Sequence, residues 1–313
     1  MNTAPFFTRV VTAVFVALAF STPAFAQPST APEPKARAIH TRTEDVIYGR
    51  RDGLALTMDV FTPAGKPNGA GVIICVSAKF RSGRELLEMF RSAATPFLDR
   101  GYMVFAVMHS SQPKYTVADA IEDVNRSVRY IRANAKKYGI DPNKLGIAGA
   151  SSGGHLSLML GCTGKAGDPE ASDPVDRESS KVAAVACFFP PTDFVVLEGQ
   201  CTKEFAACFD FREMDPTSGK FVPVSAERRR QIGEEVSPIM HVTKGSAPTL
   251  IIHGDQDKLV PIEQSKSVIA KYSECGVECE LVVKQGKGHG WFGIDKDLPT
   301  LADWFDKHIL DQK

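Results

Sequence analysis

Short, continuously apolar runs alternate with helical patterns along most of this chain, and the alternation restricts the folds that it can adopt. An apolar run of about four to eight residues suits a strand buried on both faces, as in a parallel sheet. Repetition of strand, helix and strand predicts an α/β fold with a mostly parallel, doubly wound sheet. The six runs are Gly71–Val76, Tyr102–Met108, Leu145–Ala148, Val182–Phe189, Thr249–Ile252 and Glu280–Val283.

Helical periodicity is clearest after Thr116, where apolar residues recur at spacings of three and four. Gly139, followed by Asp-Pro, predicts the end of this helix. Two further strand-like runs, Asp45–Tyr48 and Leu54–Phe61, precede the alternation, and the Asp52-Gly53 pair between them predicts an N-terminal antiparallel hairpin. Other helices are predicted near Glu85–Leu98, Ser152–Leu160, Ile262–Ser273 and Pro299–Leu310.

Residues 1–26 have the order of features that is typical of a secretory signal peptide. Arg9 precedes an apolar run, Val10–Phe20, and Ala24-Phe25-Ala26 supplies small residues at a cleavage site. The run is shorter than the roughly 20 residues that a membrane span needs. We therefore expect cleavage after Ala26, a secreted or periplasmic location and no stable membrane insertion, with an uncleaved anchor as the alternative.

The domain boundaries follow from changes in pattern. We expect residues 27–44 to form a linker or entry segment and residues 45–313 to form one domain with a small insertion. From about 197 to 242 no strand-like run occurs, and we interpret this segment as a cap over the carboxyl edge of the sheet. A surface excursion that buries its own aromatic residues is the alternative. The phenylalanines clustered there are Phe205, Phe209, Phe211 and Phe221.

Charge and cysteine content limit the partners. Lys plus Arg and Asp plus Glu both number 37, so no global field attracts nucleic acid or an anionic membrane, and neither is expected as a partner. Seven cysteines in an exported protein allow disulfides but leave at least one thiol over. No Cys or His spacing is typical of zinc, so no metal is expected. The candidate pairs are Cys201 with Cys208 and Cys275 with Cys279, whereas Cys75 and Cys187 are predicted to be buried thiols.

A Gly-x-Ser-x-Gly pentapeptide, Gly149–Gly153, lies between a predicted strand and a predicted helix. This context is typical of a nucleophile elbow, in which a sharp turn exposes a serine and small neighbours prevent a clash between strand and helix. Ser151 is therefore the candidate nucleophile. The nearby helix N-terminus offers free amides that stabilise negative charge.

A serine hydroxyl needs a base, and His289 is the best candidate among the seven histidines. His289 follows the last predicted strand and is flanked by Gly288 and Gly290. These glycines allow the loop to bring the imidazole to the sheet edge where Ser151 lies. The carboxylate that orients it should follow the penultimate strand. Spacing alone leaves both Asp255 and Asp257 open.

From about Pro63 to Leu310 the chain resembles the carboxylesterase and lipase branch of the α/β hydrolases, near feruloyl- and acetyl-esterase-like enzymes. Besides the pentapeptide, the resemblance rests on Asp141–Lys144, Pro191–Asp193 and the stretch from His253-Gly254 to Val260-Pro261. It implies the α/β-hydrolase fold, ester hydrolysis through an acyl-enzyme, no cofactor, and Asp257 as the catalytic acid. Ser151, Asp257 and His289 then follow the family's order of triad residues.

The resemblance also implies an oxyanion hole. Ser152, the residue after the nucleophile, would supply one amide, and the loop after the third strand would supply the other. The family loop usually reads His-Gly-Gly-Gly-Trp, whereas this chain has Val76–Phe80, without glycine. Since Ala and Lys enter positive φ less easily than Gly, either the amide of Ala78 or Lys79 completes a reshaped hole, or activity is lost or shifted to another substrate.

These observations predict a serine esterase that acts on a small-molecule or polysaccharide-linked ester. A serine peptidase of the prolyl-oligopeptidase type shares the triad order, but this chain has no room for that family's large propeller. A non-catalytic binding protein on the same scaffold is the alternative from another class, and the complete triad argues against it.

Overall fold

The computed structural model describes residues 40–112, 114–198, 208 and 211–311. The signal peptide predicted at residues 1–26 lies outside this part of the chain. The strands are β1 (His40–Arg51), β2 (Leu54–Pro63), β3 (Gly71–Val76), β4 (Met103–Met108), β5 (Leu145–Ala150), β6 (Ala184–Phe188), β7 (Arg212–Met214), β8 (Phe221–Pro223), β9 (Thr249–Gly254) and β10 (Cys279–Lys284). The helices are α1 (Arg84–Phe90), α2 (Thr95–Asp99), α3 (Val117–Ala133), α4 (Ala135–Tyr138), α5 (Ser152–Thr163), α6 (Phe194–Glu198), α7 (Ala226–Glu235), α8 (Glu263–Glu274) and α9 (Leu298–Phe305).

Eight strands form one mixed sheet in the order β1-β2-β4-β3-β5-β6-β9-β10. The six apolar runs of the sequence form its parallel strands, so the predicted α/β sheet is confirmed. The strands β3, β4, β6 and β9 are almost wholly buried, whereas β10 is partly exposed because it lies at the sheet edge.

The N-terminal hairpin is confirmed, with its turn at Asp52 and Gly53, both at positive φ. The predicted boundary at residue 45 is wrong, because β1 begins at His40, which pairs with Pro63. Residues 40–44, expected to belong to the linker or entry segment, are therefore strand. The charged and partly exposed side chains of β1 leave no apolar run that would reveal its start.

Helices cover both faces of the sheet, as predicted. The apolar side of α3 packs with α5 and α8 on one face, and α1, α2 and α9 pack on the other. The single helix predicted over Glu85–Leu98 is wrong, because it divides into α1, a 3-10 turn at Arg91–Ala94, and α2. Pro96, in the first turn of α2, has no amide to continue the bonding of a preceding helix.

The segment from 197 to 242 contains strands that the sequence did not predict. The strands β7 and β8 form a separate two-stranded ribbon, and their exposed, three-residue length gives no apolar run. Phe211 is buried and Phe221 is exposed, whereas Phe205 and Phe209 lie outside the described residues. The position of the segment as a cap stays a prediction.

The cysteine predictions have mixed outcomes. Cys75 and Cys187 are buried free thiols, as predicted. The predicted disulfide between Cys275 and Cys279 is wrong, because both thiols are free. The thiol of Cys275 approaches the carbonyl of Val242, and that of Cys279 approaches the carbonyl of Ile269. Cys201 lies outside the described residues, so its pairing with Cys208 stays a prediction.

Among the described helices, none is long and apolar enough to cross a membrane.

Candidate active site

Ser151 lies at the turn between β5 and α5 in a strained backbone conformation, with φ 54° and ψ −121°. Such a non-glycine conformation costs on the order of 1–3 kcal/mol and persists only where the surroundings enforce it. A Cβ atom on Gly149 would lie 2.4 Å from the carbonyl of Gly153, and one on Gly153 would lie 2.5 Å from the carbonyl oxygen of Cys75. Both positions therefore require glycine, and the turn holds Ser151 at the carboxyl edge of the sheet.

The structure brings Ser151, His289 and Asp257 into one chain of hydrogen bonds. His289 Nε2 lies 2.9 Å from Ser151 Oγ, and His289 Nδ1 lies 2.7 Å from Asp257 Oδ2. Because a carboxylate only accepts, Nδ1 carries the proton and the neutral ring presents Nε2 as an acceptor to the serine hydroxyl. The arrangement can remove the proton from Ser151 and stabilise the resulting imidazolium.

Spacing left Asp255 and Asp257 open as the carboxylate that orients His289. The structure places the carboxylate of Asp257, and not that of Asp255, in contact with His289. Asp255 accepts instead from the amide of Gly286, at 2.7 Å, and holds the neighbouring turn. Burial acts to raise the pKa of Asp257, but hydrogen bonds from His253 and His289 outweigh it and hold that pKa well below its ordinary value. Asp257 is therefore ionised at neutral pH, as a partner for an imidazolium must be.

His253 is a further contact of the site, which the sequence analysis named only within the stretch that carries the family resemblance. Its Nε2 lies 3.2 Å from Asp257 Oδ2 and 2.9 Å from the carbonyl of Val260, and its Nδ1 lies 2.6 Å from Ser265 Oγ. The amides of Leu259 and Val260 donate to Asp257 Oδ1, both at 2.9 Å. Together these bonds fix the carboxylate that faces His289. The sequence signal for this contact is the stretch from His253-Gly254 to Val260-Pro261, in which His253 and Asp257 are four residues apart.

The loop after β3 adopts positive φ without glycine, with Lys79 at φ 50° and Phe80 at φ 56°. Ala78 and Arg81 exchange backbone hydrogen bonds of 2.9 Å, so the amide of Ala78 is engaged within the turn. Within the described chain, no acceptor is found for the amide of Lys79. Since the amide of Ala78 is engaged, Lys79 is the remaining candidate of the two predicted loop donors, and the first-turn amide of Ser152 is the second candidate.

Side chains stabilise this loop where glycines do not. The ring of Phe80 is 1% exposed and packs edge-on against His155, with 5.1 Å between ring centroids. It also contacts Phe194, at 5.9 Å. Ser82 Oγ donates to the carbonyl of Val76, at 2.5 Å. The packing of a buried ring and this hydrogen bond offset the strain of two residues at positive φ.

A cavity of about 540 Å³ opens beside Ser151 and His289. Its walls come from the segment around α1 and α2, from the ends of β3 and β5, and from α9, and most of its side chains are apolar. None of its described lining residues comes from the segment 197–242. A larger groove, of about 930 Å³ near Arg51 and Asp173, contains none of the triad residues. The apolar lining includes Ile74, Val76, Met89, Phe90, Phe97, Phe188, Phe189, Ile294, Leu298 and Leu301.

Comparison with known proteins gives consistent relatives. Esterase LipC of Mycobacterium tuberculosis is 28% identical over 262 residues, which cover 83% of this chain and 62% of LipC. The chain thus spans less than two thirds of that relative. A truncated carbohydrate esterase from gut microbiota superposes with a TM-score of 0.72 and 27% identity, covering 88% of this chain and 99% of the other. Propionate-bound esterase Est2 of Thermogutta terrifontis has a TM-score of 0.66 and 26% identity, covering 85% and 94%.

These neighbours confirm the α/β-hydrolase fold that the resemblance implied. The match to a family model is broader evidence, because it extends from residue 58 in β2 to residue 272 in α8 and includes the elbow and Asp257. This protein belongs to the BD-FAE family.

Proposed function

We propose that this protein is a serine esterase that hydrolyses carboxylic esters through an acyl-enzyme. The observation that supports the proposal best is the unbroken hydrogen-bond chain from Asp257 through His289 to Ser151 at the wall of an apolar cavity. The esterase names of the relatives agree with it. The residue types, their order and their geometry are those that nucleophilic acyl transfer requires.

The proposed reaction has two steps, acylation and deacylation of Ser151. Ser151 Oγ attacks the ester carbonyl while its proton passes to His289 Nε2, and the amides of Ser152 and Lys79 bind the resulting oxyanion. The tetrahedral intermediate collapses to the acyl-enzyme as His289 protonates the departing alcohol. Water then repeats the sequence with His289 as base, so that the acid leaves and Ser151 regains its proton. Asp257 orients His289 and stabilises its cation throughout.

The cavity indicates the kind of substrate. Its lining is mainly apolar and its volume is about 540 Å³, which accommodates an apolar acyl or alcohol group larger than acetyl. A carbohydrate esterase and a propionate-bound esterase among the structural neighbours support small-molecule or carbohydrate-linked esters as the substrate class.

Hydrolysis of p-nitrophenyl acetate, butyrate and octanoate tests the proposal. The wild type should turn over, and Ser151→Ala should lose at least about 10³-fold in kcat. Ser127→Ala is the matched control, because Ser127 is buried in α3 and donates to the carbonyl of Val124. Absence of turnover, together with no labelling of Ser151 by a fluorophosphonate, would contradict the esterase and favour a binding protein.

Export is a second part of the proposal. We propose that residues 1–26 are a signal peptide, on the order of charge, apolar run and small residues at Ala24–Ala26. N-terminal sequencing of the protein recovered from an exporting bacterial host should begin at Gln27. A protein that keeps Met1 and sediments with membranes would contradict cleavage.

A further inference from the structure

Three buried polar side chains outside the proposed triad form a hydrogen-bond chain behind the oxyanion loop. Ser152 Oγ lies 2.9 Å from Ser77 Oγ, which in turn lies 2.9 Å from His109 Nε2. His109 Nδ1 lies 2.6 Å from the carbonyl oxygen of Ser110. Each of the three side chains is at most 5% exposed. Buried polar groups in such a chain are costly to separate, so the chain fixes the positions of its members.

The direction of each hydrogen bond follows from the chemistry of its ends. A carbonyl oxygen only accepts, so His109 Nδ1 donates to Ser110. Burial lowers the pKa of His109, which keeps the ring neutral and leaves Nε2 as an acceptor. Ser77 must then donate to Nε2, and its oxygen accepts the hydroxyl proton of Ser152. All three side chains are satisfied in this one arrangement.

The chain connects the two backbone segments that the proposed oxyanion hole requires. Ser152 carries one of the candidate amides, and Ser77 lies two residues before Lys79, which carries the other. The segments come from different strands, β5 and β3, and the loop that follows β3 contains no glycine before Gly83. A fixed distance between the two amides matters, because a donor acts only when it already lies where the oxyanion forms.

We propose that Ser77 is a positioning residue that holds the amides of Lys79 and Ser152 at the separation an oxyanion needs, through its hydrogen bonds to Ser152 and His109. The proposal rests on the esterase function proposed above. Ser77 itself does not contact the reacting atoms.

Kinetics of Ser77→Ala test this role. We expect kcat to fall by about 10- to 100-fold with KM within about threefold, less than the 10²–10³ that loss of one donor costs. Affinity for 1-butaneboronic acid, whose adduct with a serine places an oxygen in the hole, should fall by the same factor. A purely structural role would lower thermal stability without moving kcat or boronate affinity. Ser127→Ala, another buried serine, should leave both unchanged.

Ser152→Ala provides a second route if Ser77→Ala does not fold, because it removes only the hydroxyl and keeps the amide. It should lower kcat in the same range, and the double variant should lose little more, since both changes break one chain. Values of kcat and boronate affinity within twofold of the active wild type would overturn the proposal. Absence of wild-type turnover and of fluorophosphonate labelling would instead refute the esterase function, and the positioning role with it.

Discussion

Two turns meet at Ser151, the proposed nucleophile, and each holds residues at positive φ by a different means. At the elbow, Ser151 is strained between Gly149 and Gly153, and backbone atoms 2.4 and 2.5 Å from where a Cβ would lie exclude any other residue at those glycines. In the loop after β3, Lys79 and Phe80 both have a strained, positive φ, and the loop has no glycine before Gly83. The elbow is enforced by local sterics, and the loop by contacts with side chains from distant parts of the chain.

The difference explains why the absence of the glycine motif is compatible with the proposed oxyanion hole. The strain at Phe80 is offset by packing on His155 and Phe194, and the loop is tied to the elbow through Ser77 and His109. A turn enforced by sterics should fail abruptly when a methyl group is added. A turn held by distributed contacts should weaken in steps, one contact at a time.

The largest expected effect is at the elbow. Gly153→Ala places a methyl group 2.5 Å from the carbonyl oxygen of Cys75, so strand and helix must separate. We expect the free energy of unfolding to fall by about 3 kcal/mol and ester hydrolysis to be nearly lost. Urea denaturation and p-nitrophenyl butyrate turnover measure both. Gly245→Ala, whose nearest neighbour would be Thr243 Oγ1 at 3.7 Å, should be neutral; equal losses would contradict the steric account.

Phe80→Ala removes the main packing contact of the loop. Loss of this buried ring should lower the free energy of unfolding by about 3–4 kcal/mol and, by freeing the Lys79 amide, lower kcat by about 10-fold. Phe61→Ala is the matched control, because Phe61 is equally buried but lies in β2. It should cost similar stability and leave kcat of the folded enzyme unchanged. Equal kcat losses in both variants would show that the loop is not held by Phe80.

Acid should destabilise the protein where the ring of Phe80 packs on His155, a buried histidine of α5. Burial lowers the pKa of His155 to about 4, so below about pH 6.5 the unfolded chain binds a proton that the folded chain does not. Stability should therefore fall by about 1.4 kcal/mol per pH unit between pH 6.5 and 4 from this group alone. Urea denaturation at several pH values measures the slope. His155→Gln should remove the contribution of one proton from the slope of stability against pH. An unchanged slope would exclude His155 as its source.

Lys79→Gly should have the smallest effect. Relief of strain at φ 50° offsets the greater entropy of glycine in the unfolded chain, so we expect stability to rise by at most about 1 kcal/mol. Turnover should stay within about threefold, because the amide is retained. Lys66→Gly, an exposed lysine in a coil segment, gains no relief and should lose about 0.5–1 kcal/mol. A larger loss at Lys79 than at Lys66 would show that its strain is not relieved by glycine.

The same contrast separates what the sequence predicts from what it does not. The parallel strands and the elbow depend on neighbours in the chain, so apolar runs and Gly149–Gly153 predict them. The loop depends on His109, His155 and Phe194, which no local pattern connects to it. Spacing likewise does not show which of Asp255 and Asp257 contacts His289, because the turn of the backbone that directs their side chains differently is not visible in the sequence. The ribbon of β7 and β8 is exposed on all its residues and carries no periodic signal.

The proposed oxyanion hole takes one amide from each turn. A crystal structure of the enzyme after reaction with a fluorophosphonate tests this arrangement most directly. We predict phosphorus on Ser151 Oγ and one phosphonyl oxygen about 3 Å from the amide nitrogens of both Ser152 and Lys79. The amide of Ala78 should still donate to Arg81. A phosphonyl oxygen bound by Ser152 alone, or by Ala78 after the loop has opened, would contradict a hole preassembled from the elbow and the glycine-free loop.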